Sequence, residues 1–438
     1  MSSISSLSKA NNMERMKVMF GHLTPISTAL QSEEVKGQTP SRFADSPDDI
    51  CVVSALRTPI AKAKRGAFKD THGDDLLSQV FTAVIKDSKI NPADIGDICV
   101  GNVGDGRSAF TARIAQFFSG IPETVPVSTV NRQCSSGLQA FMNIAGGIRN
   151  GAYDIGLAAG VEMMSKNTIA DRKQFSDLNP RIAEVDSARN CLIPMGITSE
   201  NVAKKFGITR EEQDRFSLES HKRAARAQEQ GLFDAEIIPV TVNVVDKDGK
   251  ERAVTVTKDE GVRAETTMEI LGKLQPAFEE GGSTTAGNSS QVSDGAAGVV
   301  VVRRSEAIKR GMPILGVLRG FAVAGVPPEI MGIGPAVAIP KVLERAGRTV
   351  DDIDIFEINE AFASQAYYCM KTLGIPHEKV NPKGGAIALG HPLGCTGTRQ
   401  IGTLLHELKR RGKRGLGVIS MCIGTGMGAA ALFEFPGN

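Results

Sequence analysis

The sequence lacks tryptophan, and aromatic residues make up only 5% of its 438 positions. Its net charge is only +2, which gives no reason to expect nucleic acid as a partner. It contains no run of roughly 18 apolar residues, so we predict no membrane insertion. Its 7 cysteines are scattered and form no CxxC pair, which predicts free thiols in a reducing compartment and no zinc ribbon.

Glycine, in contrast, is abundant, with 47 residues clustered around short apolar runs. These runs alternate with segments of helical period, which predicts parallel strands joined by crossover helices and thus an α/β fold. The predicted strands are Ile50–Ala55, Asp97–Val103, Asp154–Val161, Ile314–Phe321, Asp354–Ile358 and Leu416–Met421. The predicted helices are Leu76–Lys86, Ser135–Asn150, Ala336–Ala346 and Arg399–Arg410.

The last third of the chain repeats the pattern of the first. The segment starting at Pro92 (Pro-Ala-Asp-Ile-Gly-Asp-Ile-Cys-Val) is similar to the segment starting at Val350 (Val-Asp-Asp-Ile-Asp-Ile-Phe-Glu-Ile). We interpret this as an internal duplication; the alternative is chance similarity between two amphipathic units. The predicted division is an N-terminal extension (1–47), a first half (48–164), a long polar excursion (165–290), a return strand (291–311) and a second half (312–438).

Cys134 lies in Asn131-Arg-Gln-Cys-Ser-Ser-Gly-Leu-Gln, where small polar residues precede a helical pattern. A cysteine at a helix N-terminus has its thiolate stabilised by the helix dipole and free N–H groups, which predicts a lowered pKa. Cys134 is therefore a candidate nucleophile. The alternative is an inert buried cysteine.

His391 lies in the corresponding place of the second half, within Gly384-Gly-Ala-Ile-Ala-Leu-Gly-His-Pro-Leu-Gly. A thiolate needs an imidazole that accepts its proton, and His391 could supply one from the facing half. The alternative is a histidine that only caps a helix or fills the core.

Two further segments carry candidate groups. Cys422 begins Cys-Ile-Gly-Thr-Gly-Met-Gly, where a second thiol precedes Gly424 and Gly426, whose N–H groups could face an oxyanion. Asn359 follows a predicted strand and could hold a catalytic water or cap the next helix. A zinc site built from Cys134, His391 and Cys422 is a further alternative, but their spacing matches no local ligand motif.

Together these segments resemble the active-site blocks of the thiolase family. The matching blocks are Asn131-Arg-Gln-Cys-Ser-Ser-Gly, Asn359-Glu-Ala-Phe, Gly390-His-Pro-Leu-Gly and Cys422-Ile-Gly-Thr-Gly-Met-Gly. The resemblance covers about Asp49 to Phe435. It implies two duplicated βαβαβαββ halves in five α-β-α-β-α layers, with an inserted loop domain that binds CoA.

The resemblance also implies roles. Cys134 would be the acylated nucleophile, His391 its base and Cys422 the general acid and base. His391 with a water held by Asn359 would form one oxyanion hole, and the N–H groups of Cys134 and Gly424 the other. No metal or bound cofactor is implied, because CoA is a substrate.

Four residues of the excursion match positions near CoA in the family. Arg263 and Ser290 would contact CoA, and Met195 and Phe278 would lie near the pantetheine and acyl pocket. Arg263 could instead be a solvated surface charge.

The residues around Cys134 resemble those of degradative 3-ketoacyl-CoA thiolases more than those of the biosynthetic acetoacetyl-CoA type. The acetoacetyl-CoA type remains the alternative, and a non-catalytic acyl-CoA-binding protein is a less favoured one.

Arg15-Met16 and His22-Leu23 resemble a bipartite peroxisomal signal read by an import receptor, because positions seven apart share one helix face. We predict a peroxisome or related organelle such as the glycosome, with the mitochondrion as alternative. The resemblance implies a homodimer or tetramer.

Overall fold

The computed structural model describes residues 43–166, 178–245 and 249–437. The fold described below belongs to one compact unit, Asp45–Asn438. The Arg15-Met16 and His22-Leu23 signal lies outside the described residues. In the described ranges, no helix is both long and apolar enough to cross a bilayer.

The strands alternate with helices as predicted, with ends shifted by a few residues. The strands are β1 (Ile50–Arg57), β2 (Ala61–Lys62), β3 (Asp97–Gly101), β4 (Val127–Val130), β5 (Ile155–Met163), β6 (Val240–Val245), β7 (Glu251–Val256), β8 (Ser293–Arg303), β9 (Gly316–Gly325), β10 (Ile355–Ile358), β11 (Gly415–Ile423) and β12 (Met427–Phe435).

The α-helices cover every helical segment predicted from the sequence and add several more. They are α1 (Gly73–Ser88), α2 (Ser108–Phe118), α3 (Ser136–Arg149), α4 (Asp186–Asn190), α5 (Met195–Phe206), α6 (Arg210–Glu229), α7 (Met268–Gly272), α8 (Arg304–Lys309), α9 (Gly334–Arg345), α10 (Ala363–Thr372), α11 (Ala386–Leu389) and α12 (Leu393–Arg410).

The pairing of the strands confirms the duplicated α/β architecture. The first half has the order β4-β3-β5-β8-β1, and the second half has β10-β11-β12-β9 with a parallel bridge from Phe356 to Val380 at the edge. Each half therefore contains the same sequence of parallel and antiparallel neighbours. The two sheets join where Cys51 and Val52 of β1 pair with Val317 and Gly316 of β9.

The helices complete five layers. Helices α1 and α2 cover the outer face of the first sheet, and α9 covers that of the second, with α10 packed beside α9. Helices α3 and α12 pack on each other between the sheets, and α12 contacts strands of both. The central core is apolar on both helices, with Phe141 of α3 meeting Phe433 of β12 at 5.4 Å between ring centroids.

The chain leaves the first sheet after β5 and returns to it at β8. The intervening segment carries α4 to α7 and the separate hairpin of β6 and β7. Its long helix α6 starts with a complete capping box: the Thr209 side chain accepts from the Glu212 N–H, and the Glu212 carboxylate accepts in return from the Thr209 N–H. This excursion packs against the second half through contacts of α10 with α5 and α6.

Candidate active site

The N-termini of the two central helices meet at one point of the molecule. A Cβ atom at Gly137 would lie 2.4 Å from Thr398 Oγ1 and 2.6 Å from the Gly394 carbonyl oxygen, so only glycine permits this contact. Cys134 stands two residues before α3, and His391 stands two residues before α12. The duplicated fold thus brings the predicted nucleophile and the predicted base to the same junction.

Cys134 is held in a constrained backbone segment. The residue before it, Gln133, has φ +47°, a left-handed conformation that is costly for a side chain with a Cβ. The N–H groups of Gly424 and of Cys134 itself point at the Cys134 sulfur. These are the two backbone donors predicted to form an oxyanion hole.

The protonation of Cys134 differs from the sequence-based expectation. Burial raises the pKa of the thiol to about 11, and the two N–H groups offset this only in part. The predicted lowering is therefore wrong for the free site, because desolvation of a thiolate outweighs the donors at the helix start. Cys134 rests as a neutral thiol.

His391 is also neutral. Burial, followed by the positive charge of Arg399, lowers its pKa to about 3. Its Nδ1 lies 2.6 Å from Thr396 Oγ1, and the Thr396 hydroxyl itself donates to the Pro392 carbonyl. The hydroxyl therefore accepts from Nδ1–H, which leaves the Nε2 lone pair as the base.

Asn359 faces that base. It follows β10 directly, and its Nδ2 lies 3.3 Å from His391 Nε2. The next helix has Phe362 as its N-cap residue, so the capping alternative for Asn359 does not hold. Asn359 Oδ1 is buried without a partner among the described residues, as expected for an acceptor that takes a water.

Cys422 lies at the end of β11 and is fully buried. Burial, then the charge of a Cys134 thiolate, raises its pKa well above that of a free thiol. Three and four residues after Cys422, Thr425 and Gly426 adopt φ +69° and +91° in the turn to β12. This turn directs the Gly424 N–H towards Cys134 and keeps both thiols at one site.

Comparison with known proteins decides the family. The family described as "Thiolase, N-terminal domain" matches residues 50–305, and "Thiolase, C-terminal domain" matches residues 312–435. The chain belongs to the thiolase family. The resemblance expected from the four sequence blocks is therefore confirmed.

Relatives of this thiolase are similar over nearly its whole length. The chain is 63% identical to "3-ketoacyl-CoA thiolase A, peroxisomal" of Rattus norvegicus, over 99% of both chains. The structure of the dimeric peroxisomal thiolase of Saccharomyces cerevisiae is 49% identical, with a TM-score of 0.83, covering 89% of this chain and 98% of that one. Human mitochondrial 3-ketoacyl-CoA thiolase in complex with CoA is 36% identical, with a TM-score of 0.79 and coverage of 89% and 98%.

The four predicted CoA contacts of this thiolase fall into two groups. Met195 packs beside Cys422, and its sulfur comes within 3.7 Å of where a Gly424 Cβ would stand. Phe278 covers Gly196 of α5 and meets the Phe362 ring edge-on. Met195 thus packs directly against Cys422, and Phe278 packs against Phe362, which belongs to the same apolar cluster.

Ser290 and Arg263 form the second group. The Ser290 N–H donates to the carbonyl of Ala361, two residues after Asn359, at 3.0 Å. The Arg263 side chain is exposed, while its backbone N–H donates to His221 Nδ1 at 3.3 Å. Ser290 is thus fixed near the site, and Arg263 stands at the surface.

Three residues at this thiolase site were not predicted from the sequence. Thr396 orients His391, and Gln365 contacts the Cys422 sulfur at 3.4 Å. The Glu162 carboxylate accepts from the N–H groups of Val103, Gly104 and Gly394, which ties the first half to the start of α12. Thr396 and Gln365 follow His391 and Asn359 by five and six positions, which is the one signal that could have revealed them.

All seven cysteines are free thiols. Within the ranges that the structure describes, no group of three or more His, Cys, Asp or Glu side chains is placed to hold a metal ion.

Proposed function

We propose that this thiolase is a 3-ketoacyl-CoA thiolase, an acyltransferase that uses CoA to cleave 3-ketoacyl-CoA into acetyl-CoA and a shortened acyl-CoA during fatty-acid β-oxidation. The observation that carries the proposal is the meeting of two thiols, one neutral imidazole and two backbone N–H donors at the junction of the duplicated halves. The names of the relatives with 63% identity favour this activity over acetoacetyl-CoA thiolysis.

The first half-reaction acylates Cys134. His391 Nε2 takes the thiol proton while the sulfur attacks the 3-keto carbon, which suits a site where both groups rest neutral. The N–H groups of Cys134 and Gly424 receive the oxyanion that forms. The bond between C2 and C3 then breaks, and its electron pair moves into the thioester enolate of acetyl-CoA.

The enolate needs a second set of donors, since its charge develops on another oxygen. His391, which now carries the proton at Nε2, and a water on Asn359 would supply them. Cys422 donates its proton to C2, acetyl-CoA leaves, and the Cys422 thiolate removes the proton of the incoming CoA thiol. CoA then takes the acyl group, and Cys134 recovers its proton from His391.

Substrate binding is assigned to the excursion. Met195 and Phe278 would contact the pantetheine and acyl chain, and Ser290 and Arg263 would contact the rest of CoA. No bound cofactor takes part in these steps. We also propose that the domain boundaries of the chain lie at 47/48, 164/165, 290/291 and 311/312, and that residues 165–290 bind CoA.

Location and assembly follow from the relatives. We propose a peroxisomal enzyme, because the relatives at 63% identity are named peroxisomal, and an import receptor that reads Arg15-Met16 and His22-Leu23. We propose a homodimer, as the Saccharomyces cerevisiae thiolase is described as dimeric. Exposed Phe110 and Phe118 beside edge strand β4 supply a surface for it.

The decisive experiment is thiolysis by the purified protein of acetoacetyl-CoA and 3-ketohexadecanoyl-CoA in the presence of CoA. We expect turnover of the long substrate that disappears in Cys134→Ala and persists in Cys51→Ala, which removes a buried thiol distant from the site. Turnover of acetoacetyl-CoA alone would instead assign the short-chain activity. Turnover of neither substrate would identify a non-catalytic acyl-CoA-binding protein.

A further inference from the structure

The Cys422 thiol has one side-chain hydrogen-bond partner among the described residues, the carboxamide of Gln365. The Cys422 sulfur donates to Gln365 Oε1 at 3.4 Å. Met331 and Ala361 supply the apolar packing around this thiol. A group that must both give and take a proton therefore depends on a single polar side chain.

Burial and close packing hold the Gln365 side chain in this position. Its side chain is 1% exposed, and its stem lies on the backbone of Gly332, where a Cβ would come within 2.6 Å of Gln365 Cβ. Its Nε2 is buried with no partner in the described part of the chain. A buried donor without an acceptor is costly, so its presence next to a reactive thiol calls for a function.

We propose that Gln365 is the positioning residue that lets Cys422 act as acid and as base in turn. While Cys422 is a thiol, Gln365 Oε1 accepts the S–H bond. After the proton moves to the enolate carbon, a half-turn of the carboxamide brings Nε2–H to the thiolate. This inference deepens the proposed function, on which it rests.

The surroundings of Cys422 explain why a neutral donor is needed. Burial disfavours the thiolate, and the neighbouring Cys134 and Cys369 raise the pKa of Cys422 further. The N–H of Cys422 itself is the group that acts in the opposite direction. An amide that turns adds a donor when the thiolate forms, and it leaves the thiol form with an acceptor.

The test measures the thiolate of Cys422 without turnover. In a Cys134→Ala background, iodoacetamide labelling of Cys422 is followed by peptide mass spectrometry between pH 7 and 10. We expect Gln365→Met, which keeps the length of the side chain, to label about tenfold more slowly at a given pH, because one hydrogen bond to a charged group is lost. Gln365→Glu should label more slowly still, since its carboxylate repels the thiolate.

Further variants separate this role from packing. Ser364→Ala removes a buried hydroxyl that contacts Ser199 at 2.7 Å, and it should label at the parent rate. Gly332→Ala keeps the carboxamide but displaces its stem, and it should slow labelling. Parent-like labelling in Gln365→Met, or equal slowing in the Met and Glu variants, would overturn the inference.

Kinetics in the Cys134-containing enzyme complete the test. Gln365→Met should lower kcat while KM for the 3-ketoacyl-CoA stays near that of the parent, because Gln365 acts through Cys422. A rise in KM with unchanged kcat would count against the inference. Failure of the parent to catalyse thiolysis would refute the proposed function instead, and labelling distinguishes that result because it requires no catalysis.

Discussion

At the scale of single residues, burial controls the protonation of the reactive groups more strongly than charge does. Cys134, Cys422 and His391 are all held in their neutral forms, although donors and charges surround them. In the proposed mechanism, proton transfer therefore accompanies bond formation and is not completed before substrate arrives. The rate of these proton transfers then depends on how uncharged neighbouring residues orient each group.

The hydroxyl of Thr396 is the neighbour that orients His391, and its removal gives a residue-scale prediction. Thr396→Val keeps the shape but leaves Nδ1–H without its 2.6 Å partner. We expect kcat to fall roughly tenfold to a hundredfold, the effect of one lost hydrogen bond to a group that becomes charged. Steady-state kinetics measures this.

The matched control is Thr398→Val, two residues along the same helix. Thr398 Oγ1 is buried and has no partner among the residues described, so its loss should leave kcat close to that of the parent. An equal fall in both variants would attribute the effect to helix packing.

Glu162 gives a prediction about pH. Burial raises its pKa from 4.5 to about 7 against the effect of three N–H donors. Because the folded value is the higher one, its stabilising contribution is complete below pH 4.5 and is lost as the pH rises through 7. In Glu162→Gln this titration is absent.

The comparison uses urea unfolding of parent and Glu162→Gln at pH 4.5 and pH 8. The unfolding free energy of the parent relative to the variant should fall by roughly 3 kcal/mol over this interval. Glu269→Gln, whose side chain is 77% exposed, should show almost no such change. A constant difference between parent and Glu162→Gln would contradict the assignment.

The candidate reactive groups of this site could be predicted from the sequence, whereas the residues that support them could not. Cys134, His391, Asn359 and Cys422 stand in segments whose chemistry is visible locally. Thr396 and Gln365 are neutral residues inside helices, and only the folded chain places them against a reactive atom. The pKa of Cys134 was wrongly predicted for the same reason, because burial is a property of the whole fold.

At the scale of elements, two helix N-termini in contact make the site possible. Gly137→Ala tests this, since its Cβ would press on Thr398 Oγ1 and the Gly394 carbonyl oxygen. We expect a loss of about 1–3 kcal/mol in unfolding free energy. We also expect kcat to fall more than it does in other variants that lose the same unfolding free energy. Thermal unfolding and thiolysis measure the two effects.

Gly146→Ala is the control within the same helix α3. Apart from its chain neighbours and the backbone of its own helix, nothing lies within 4 Å of a Cβ at that position, so alanine should stabilise the helix by roughly 0.5–1 kcal/mol and leave activity unchanged. A tolerated Gly137→Ala would mean that the helices can separate without moving Cys134 from His391.

Elements with one buried stripe were predictable, and others were not. Helix α2 was missed because Phe110, Phe117 and Phe118 are exposed, so its apolar residues follow no single stripe. Strand β12 was missed because its run of small residues, Met427–Phe435, indicated only close backbone approach. Strands β6 and β7 were missed because only β6 alternates apolar and polar residues, over 240–244, whereas β7 starts with the charged pair Glu251 and Arg252.

At the scale of the whole molecule, a buried ionic cluster joins the excursion to both halves. Arg57 of β1 contacts Glu236 at 2.8 Å and Asp259 at 2.7 Å, and Glu236 also contacts Lys383 of the second half at 3.0 Å. These partners lie up to 202 positions apart, so no sequence pattern could pair them. The cluster holds the excursion, which we propose binds CoA, against both halves.

Arg57→Leu should leave two carboxylates buried with less compensation. We expect a loss of about 3–5 kcal/mol in unfolding free energy, measured by urea titration. Arg215→Leu, which breaks the exposed pair with Glu211, should cost no more than about 1 kcal/mol. If Arg57→Leu lost as little unfolding free energy as Arg215→Leu, water would be replacing the guanidinium in the cluster.

The surface formed by α2 and edge strand β4 supports the last prediction, which concerns assembly. Phe110 and Phe118 are 73% and 61% exposed, which leaves two large aromatic side chains in contact with water. Adjacent exposed apolar side chains of this size are typical of an interaction surface. Helix α2 packs beside β4, whose outer edge has unpaired backbone groups available in the described chain. A second copy placed on this surface would bury both features at once.

Analytical ultracentrifugation of Phe110→Lys/Phe118→Lys tests this arrangement. We expect the parent to sediment as a dimer and the variant as a monomer, since each buried phenyl ring contributes on the order of 150–250 Å² of apolar contact. Ile308→Lys, a substitution of a 66% exposed residue on α8, should remain dimeric. A dimeric double variant would place the interface elsewhere, whereas a monomer would explain why α2 carries its aromatic residues on the outside.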